Sequence, residues 1–213
     1  MPRPVPTRLY HFTHVSHLAT IVRDGLLCDA QAHVGDRLRI EVGNREIKTQ
    51  RRQRPVLCGP GGVVADYVPF YFAPRSPMLY AIKVGNVPTY QGGQPGLIHL
   101  CSTIERLDEL GCPWVATDRN ASLAIARSTS RHEELDGLVD WQLMAARYWK
   151  NVPEDPDRRE RRMAELMVHG CVPWDAIQFI GTRDKADLAA VEGALGSLGG
   201  HQPQRDVRPG WYF

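Results

Sequence analysis

Polar and apolar residues alternate with a period of two through several short stretches of the chain. Leu9-Tyr10-His11-Phe12-Thr13-His14 predicts a strand with Tyr10 and Phe12 on one face and His11 and Thr13 on the other. In residues 63–72, Val68, Phe70 and Phe72 alternate with Tyr67, Pro69 and Tyr71, and Pro69 assigns this run to an edge or bulged strand. Residues 97–100, 114–117 and 178–182 predict further short strands. In residues 158–168 the same period puts Met163, Glu165 and Met167 on one face, and Ala164, Leu166 and Val168 on the other. Glu165 in the middle of such a strand is costly to desolvate and needs a partner or a task. Two readings stand: an edge-strand glutamate paired with one of the arginines just before it, or a catalytic carboxylate in a cleft.

Helical stretches fall between these strands at irregular intervals. Ser16 starts a helix through Leu18, Ile21 and Val22 that Gly25 ends. A helix is expected within residues 40–54, closed by Pro55. Ser76-Pro77 is a helix start, with Arg75 just ahead of it. Ser102 caps a helix through Ile104, Leu107 and Leu110, stopped by Gly111. Residues 121–127, 135–149 and 185–195 also read as helical, and Trp211-Tyr212-Phe213 as a last packed strand. Residues 30–62 have weak periodicity, many charges and glycines at Gly35, Gly43, Gly59, Gly61 and Gly62. A long loop of this kind is often functional. Short strands with irregular helices predict an α+β fold, and with no long linker residues 1–213 are expected to form one domain.

Composition changes the picture in a few places. A hydrophobic content of 43% is enough for a core. No apolar run approaches the roughly 20 residues that span a bilayer, and the first residues lack a signal-peptide core, so a cytoplasmic protein without membrane association is expected. The five scattered cysteines lack a CxxC pair, which predicts reduced thiols and no zinc site. His11, His14 and His17 resemble a metal triplet, but strand, turn and helix would not aim three imidazoles at one point. Core or hydrogen-bonding roles suit His14 and His17, and no metal is expected. Net charge is +2, yet Arg45, Lys48, Arg51, Arg52 and Arg54 form one basic cluster, and Arg158, Arg159, Arg161 and Arg162 another. Such clusters suit a polyanion or a nucleotide, and equally a solvated loop.

Four segments carry a family resemblance: Tyr10-His11-Phe12-Thr13-His14, the fifteen residues from Asp66 to Tyr80, Thr117-Asp118-Arg119-Asn120, and Arg162-Met163-Ala164-Glu165. Together they make the chain resemble the DarT family of bacterial DNA ADP-ribosyltransferase toxins along nearly its whole length. One departure is visible: the family usually reads Ala-Glu-Phe-Leu-Val at the last motif, and here Leu166-Met167 stands for Phe-Leu. Both exchanges keep apolar character and rough volume.

The resemblance implies a split β-sandwich of the ADP-ribosyltransferase (PARP-like) type with inserted helices. It implies cleavage of NAD, used as co-substrate, and transfer of ADP-ribose to thymine in single-stranded DNA of preferred sequence. It also implies a partner antitoxin with a macrodomain. Glu165 is the expected catalytic carboxylate, because a ribosyl bond breaks with oxocarbenium character that a fixed anion stabilises. Arg51 is expected over NAD, contacting the phosphates or assisting the chemistry, with Arg52 and Arg54 as rivals under a shifted alignment. His11, Phe12 and Thr13 match the family's NAD-holding positions. Tyr71 is placed on the nicotinamide or, as an alternative, in the core. Arg75, Ser76, Met78 and Arg119 are candidates for DNA contact, with Met78 or Tyr80 wedged beside a base; plain helix packing is the alternative for Met78. Rival functions are a non-catalytic single-stranded DNA-binding module of the same fold, and a transferase acting on guanine, RNA or protein.

Overall fold

The computed structural model describes residues 1–34 and 40–213; Gly35, one of the glycines of the 30–62 stretch, lies outside the described residues. The chain runs through β1 (Arg8–His14), α1 (Leu18–Asp24), β2 (Leu26–Leu27), α2 (Asp29–Ala32), α3 (Arg45–Gln53), β3 (Tyr67–Tyr71) and α4 (Pro77–Lys83). It continues through β4 (Leu97–Thr103), α5 (Ile104–Glu109), β5 (Trp114–Thr117), β6 (Ser128–Thr129), α6 (Leu135–Leu138), α7 (Trp141–Ala145) and α8 (Arg158–Arg161). Last come β7 (Glu165–His169), β8 (Cys171–Val172), β9 (Phe179–Thr182), α9 (Lys185–Gly196) and β10 (Gln204–Val207). No helix among the described residues is long and apolar enough to cross a membrane.

Among the described residues, eight strands form one sheet in the order β10-β9-β4-β1-β3-β7-β5-β6, and β2 pairs separately with β8. The sheet is pinched at its centre. β1 pairs with β4 along its full length, from Arg8↔Thr103 to His14↔Leu97, but meets β3 at Tyr10↔Tyr71. β3 in turn pairs with β7 from Tyr67↔His169 to Tyr71↔Glu165. The two halves therefore splay from a single joint. Leu9, Phe70, Leu100, Leu166 and Ile180 bury one face of the sheet in the main core with Leu18 and Val191, and Leu79, Ile82, Leu97 and Tyr212 form a second cluster.

Pro69 corrects the expectation of an edge strand, since β3 lies inside the sheet between β1 and β7. The N–H and C=O of one strand residue face the same side. The Pro69 carbonyl accepts from His11 Nδ1 at 2.8 Å, so its missing N–H falls on the β1 side, where the ladder is already open.

Other differences have local causes. His14, not Ser16, caps the 3-10 turn that leads into α1, with Nδ1 3.2 Å from the Ser16 N–H. Thr103, not Ser102, caps α5, because β4 runs one residue further and Ser102 is committed to the Ala176 carbonyl at 2.7 Å. Residues 121–127 form turns instead of a helix: Asp118 accepts from the Arg127 N–H at 2.9 Å and its Nε at 3.1 Å, folding the segment back on itself. Residues 135–149 split into α6 and α7 because Asp140 caps a fresh start at the Leu143 N–H. Arg158–Arg161 is helical, so β7 begins at Glu165 and not several residues earlier. The tail is packed, yet Pro209–Trp211 is a 3-10 turn and β10 is the final strand.

Leu100 is fully buried in the strand between β1 and β9. Leu100→Ala should lower the unfolding free energy by about 2–5 kcal/mol, measured by urea denaturation. A loss well below 1 kcal/mol would mean that this strand is not central to the core.

Candidate active site

The splay between β1 and β3 opens a cavity of about 240 Å³, lined among others by His11, Thr13, Arg51, Tyr71, Met78 and Glu165. Phe12 also lines it, although Phe12 and the His11–Thr13 pair alternate along β1. The diverging strands expose both sides of β1 to one space. Phe12 and Tyr71 lie nearly parallel across it, at 7° with centroids 6.4 Å apart.

Glu165 stands at the cavity floor, 3% exposed. As the first residue of β7 it is paired with Tyr71 on one side and Thr117 on the other. Its carboxylate is doubly held. The Ala121 N–H donates to Oε1 at 2.8 Å, and Arg51 Nη1 donates to Oε1 at 3.2 Å and Oε2 at 3.1 Å. The partner is therefore none of the four arginines just before it, Arg158, Arg159, Arg161 and Arg162. Arg161 pairs with Asp140, Asp155 and Asp157, and Arg162 is buried against backbone carbonyls. The second basic cluster is thus largely structural.

Arg51 reaches the site from α3, where Asn44, Ile47, Lys48 and Arg51 all line the cavity. The spacing 44, 47, 48, 51 is one helix face. Arg52 turns instead to Asp29 at 3.2 Å, and Arg54 to the Ala124 carbonyl at 2.8 Å. Asn44 caps the helix, its Oδ1 accepting from the Glu46 and Ile47 N–H groups. Lys48 anchors it, with Nζ 2.5 Å from Asp29 and 2.6 Å from Glu41. Asp29, His33 and Glu41 are placed as a metal triad would be, but an ammonium group is already seated against both carboxylates.

His11 presents a neutral ring. Its Nδ1 faces a carbonyl, which can only accept, so Nδ1 carries the proton and Nε2 is a bare acceptor. Burial pushes its pKa down to about 4, aided by the Arg51 charge and opposed by the Pro69 hydrogen bond. Thr13 belongs to a relay. The Ile40 N–H donates to His17 Nε2 at 3.1 Å, which leaves the His17 proton on Nδ1, 2.9 Å from Thr13 Oγ1. The hydroxyl proton of Thr13 is then left to donate elsewhere. The Tyr71 phenol is raised above its ordinary range by burial and then by the Glu165 charge, so it stays neutral.

The remaining expected residues divide. Met78 lines the cavity from α4. Ser76 is 1% exposed, and its hydroxyl accepts from the Leu79 N–H at the start of α4. The Arg75 guanidinium lies 4.3 Å from the Phe213 ring centroid. Arg119 is neutralised by Asp118 at 3.3 Å and Asp157 at 3.7 Å. Sequence reasoning missed the Ala121 amide and the Pro69 carbonyl, which are backbone groups with no residue-type signature. His17, expected in a core or hydrogen-bonding role, is buried and hydrogen-bonded to Thr13, one helical turn before it.

Solved structures place this fold and cavity in a class. The structure of Thermus sp. 2.9 DarT in complex with ADP-ribosylated ssDNA matches with a TM-score of 0.92 at 37% identity, over 100% of this chain and 99% of that one. The same protein in complex with NAD+ matches at 0.86, with 38% identity over 99% and 100%. The class is that of the NAD-dependent ADP-ribosyltransferases acting on DNA, and this chain is one of them. Within it, the family model described as "ssDNA thymidine ADP-ribosyltransferase, DarT" matches residues 10–213, and the chain belongs to the DarT family. A DNA ADP-ribosyl transferase of Thermus aquaticus is 39% identical over 99% of this chain and 90% of its own length. A Thermosipho africanus DNA ADP-ribosyl transferase–DNA ADP-ribosyl glycohydrolase fusion protein is 25% identical over 88% of this chain and 45% of its own length.

The buried histidines give the fold a pH limit. His99, with Nε2 3.1 Å from the Pro74 carbonyl, is also pushed down to about 4, chiefly by burial. Unfolded, both rings take up a proton near 6.5; folded, they resist until about 4. The unfolded state therefore binds more protons in that window, and stability present above 6.5 is lost as pH falls through it. The urea midpoint should fall across this window, and less steeply in His99→Gln. An equal slope in the variant contradicts this assignment.

Proposed function

We propose that this chain transfers ADP-ribose from NAD to a thymine base in single-stranded DNA, in a sequence-preferring way, as the toxin of a toxin–antitoxin pair. The observation that carries the reading is the buried Glu165 carboxylate, facing His11 and Thr13 across the split in the sheet and held by Arg51. The Thermus protein of the same fold, seen with NAD+ and with ADP-ribosylated ssDNA, supports the two substrates.

In this reading the Thr13 hydroxyl donates to the nicotinamide amide, the bare Nε2 of His11 accepts from a ribose hydroxyl, and Phe12 and the neutral Tyr71 flank the nicotinamide ring. Glu165 accepts from a ribose hydroxyl and stabilises positive charge at C1′ as the C1′–N bond breaks. The bond electrons leave with nicotinamide. Thymine N3 then bonds to C1′ and gives up its proton, for which Glu165 is the nearest carboxylate acceptor. Arg51 keeps Nη1 on Glu165, turns its other donors to the NAD phosphates and favours the deprotonated base. Arg75, Met78 and Arg119 meet the DNA, and Ser76 acts by holding α4 in place. Residues 1–213 act as one domain, since one sheet runs from Arg8 to Val207. The partner is a macrodomain antitoxin in the cytoplasm, a pairing supported by the transferase–glycohydrolase fusion.

Labelled NAD, a randomised single-stranded oligonucleotide pool and mass spectrometry test this together. Label should appear on thymine within a short preferred sequence. Glu165→Ala and Glu165→Gln should each lose about 10²–10³-fold or more in kcat while the protein stays folded. Label confined to guanine, RNA or protein, binding without transfer, or near-normal transfer by both variants would each overturn the reading.

A further inference from the structure

Helix α4 extends beyond the cavity. Met78 lines the cavity, whereas Tyr80, two residues on, lies outside that lining and is 44% exposed. The Tyr80 ring meets Phe213 at 5.1 Å and 66°, and Trp149 at 6.2 Å and 88°; Trp149 and Phe213 meet each other at 6.2 Å and 84°. Three edge-to-face contacts fix the three rings against one another. Phe213 and Met78 pack on the same hydrophobic cluster, so the rings lie on the Met78 side of the cavity.

The charge beside these rings is not neutralised. Among the described residues, the Arg75 guanidinium over Phe213 has no ion pair and donates no hydrogen bond, and its Nε is buried without an acceptor. Behind it, Arg162 is 4% exposed and is held by carbonyls of Leu143, Met144, Ala146 and Arg75. Its pKa is lowered to about 10, by burial and then by Arg75. Most arginines elsewhere meet carboxylates, as Arg119 and Arg161 do. Two uncompensated cations beside a rigid, partly exposed aromatic cluster suit an anionic chain whose bases are free to stack. A duplex keeps its bases stacked inward and cannot use the rings.

We propose that Tyr80, Trp149 and Phe213, with Arg75, form a second base-binding subsite that holds a nucleotide flanking the one modified in the cavity. The proposal rests on the single-stranded DNA acceptor reading above. A base stacks on the Tyr80 ring, and the unpaired donors of Arg75 take a neighbouring phosphate. This subsite sets how much flanking strand the enzyme needs.

The test uses the oligonucleotide recovered from the pool, with each flanking base replaced in turn by an abasic site. With the unaltered protein, one flanking position should raise KM for DNA about five-fold or more when abasic. Tyr80→Leu should raise KM for the intact oligonucleotide by a similar factor, keep kcat at saturating DNA, and lose further sensitivity to that position. Tyr80→Phe keeps a ring and should behave as the unaltered protein. Unchanged KM in Tyr80→Leu, or a raised KM with every abasic penalty preserved, overturns the subsite. A second arm needs no variant: 5-iodouracil at each flanking position, irradiated with the unaltered protein, should crosslink to Tyr80, Trp149 or Phe213. Crosslinks that fall elsewhere from every position overturn it as well. Failure of the unaltered protein to label single-stranded DNA defeats the acceptor reading itself, and crosslinking still decides the subsite.

Discussion

A carboxylate stripped of water at the base of a cavity is tolerated only where opposite charge and amide hydrogen reach it. Glu165 meets both conditions, through Arg51 and the Ala121 amide, and much of the surrounding architecture serves that pair. The Ala121 amide is available because Asp118 pinches residues 118–127 into turns; in a helix that amide would face along the helix axis. Arg51 is available because Asn44 starts α3 and Lys48 ties it to Asp29 and Glu41. The salt bridge joins a helix, α3, to the first residue of β7.

The cavity itself follows from a defect in the sheet. β1 and β3 hold together at Tyr10↔Tyr71 and then part, and the proline at position 69 makes that parting cheap, since it has no N–H to leave unpaired. The carbonyl it retains orients His11. One residue thus opens the space and aligns a ring within it. Thr13, four residues before the end of the turn that follows β1, is fixed from the other direction by His17. His11 and Thr13 are thus each oriented by a neighbour, Pro69 and His17.

Much of this was legible in the chain. The period-two stretches located the central strands, and Ser76-Pro77 marked the start of α4 correctly. Among the arginines of the first basic cluster, Arg51 lines the cavity with Asn44, Ile47 and Lys48, whereas Arg52 turns to Asp29 and Arg54 to the Ala124 carbonyl. Other features were hidden for physical reasons. Residues 135–149 carry a helical pattern, but an aspartate cap in the middle restarts the helix. The arginines before Glu165 looked like its partners, yet Arg161 is taken by three aspartates and Arg162 by carbonyls. Trp211-Tyr212-Phe213 packs as expected, but through the Tyr212 hydroxyl reaching the Leu97 and Gly181 carbonyls at 2.9 and 3.0 Å, not by strand pairing. Backbone groups that act on side chains leave no trace in residue identity.

In the proposed mechanism Arg51 and Glu165 act as one unit, joined across the cavity, rather than as two independent contributors. The most direct measurement is a double-mutant cycle on kcat for ADP-ribose transfer, with NAD and DNA both saturating so that phosphate binding drops out. Units of this kind are non-additive. Arg51→Ala combined with Glu165→Ala should lose about as much as Glu165→Ala alone. Losses that multiply, as for two groups working separately, would contradict it.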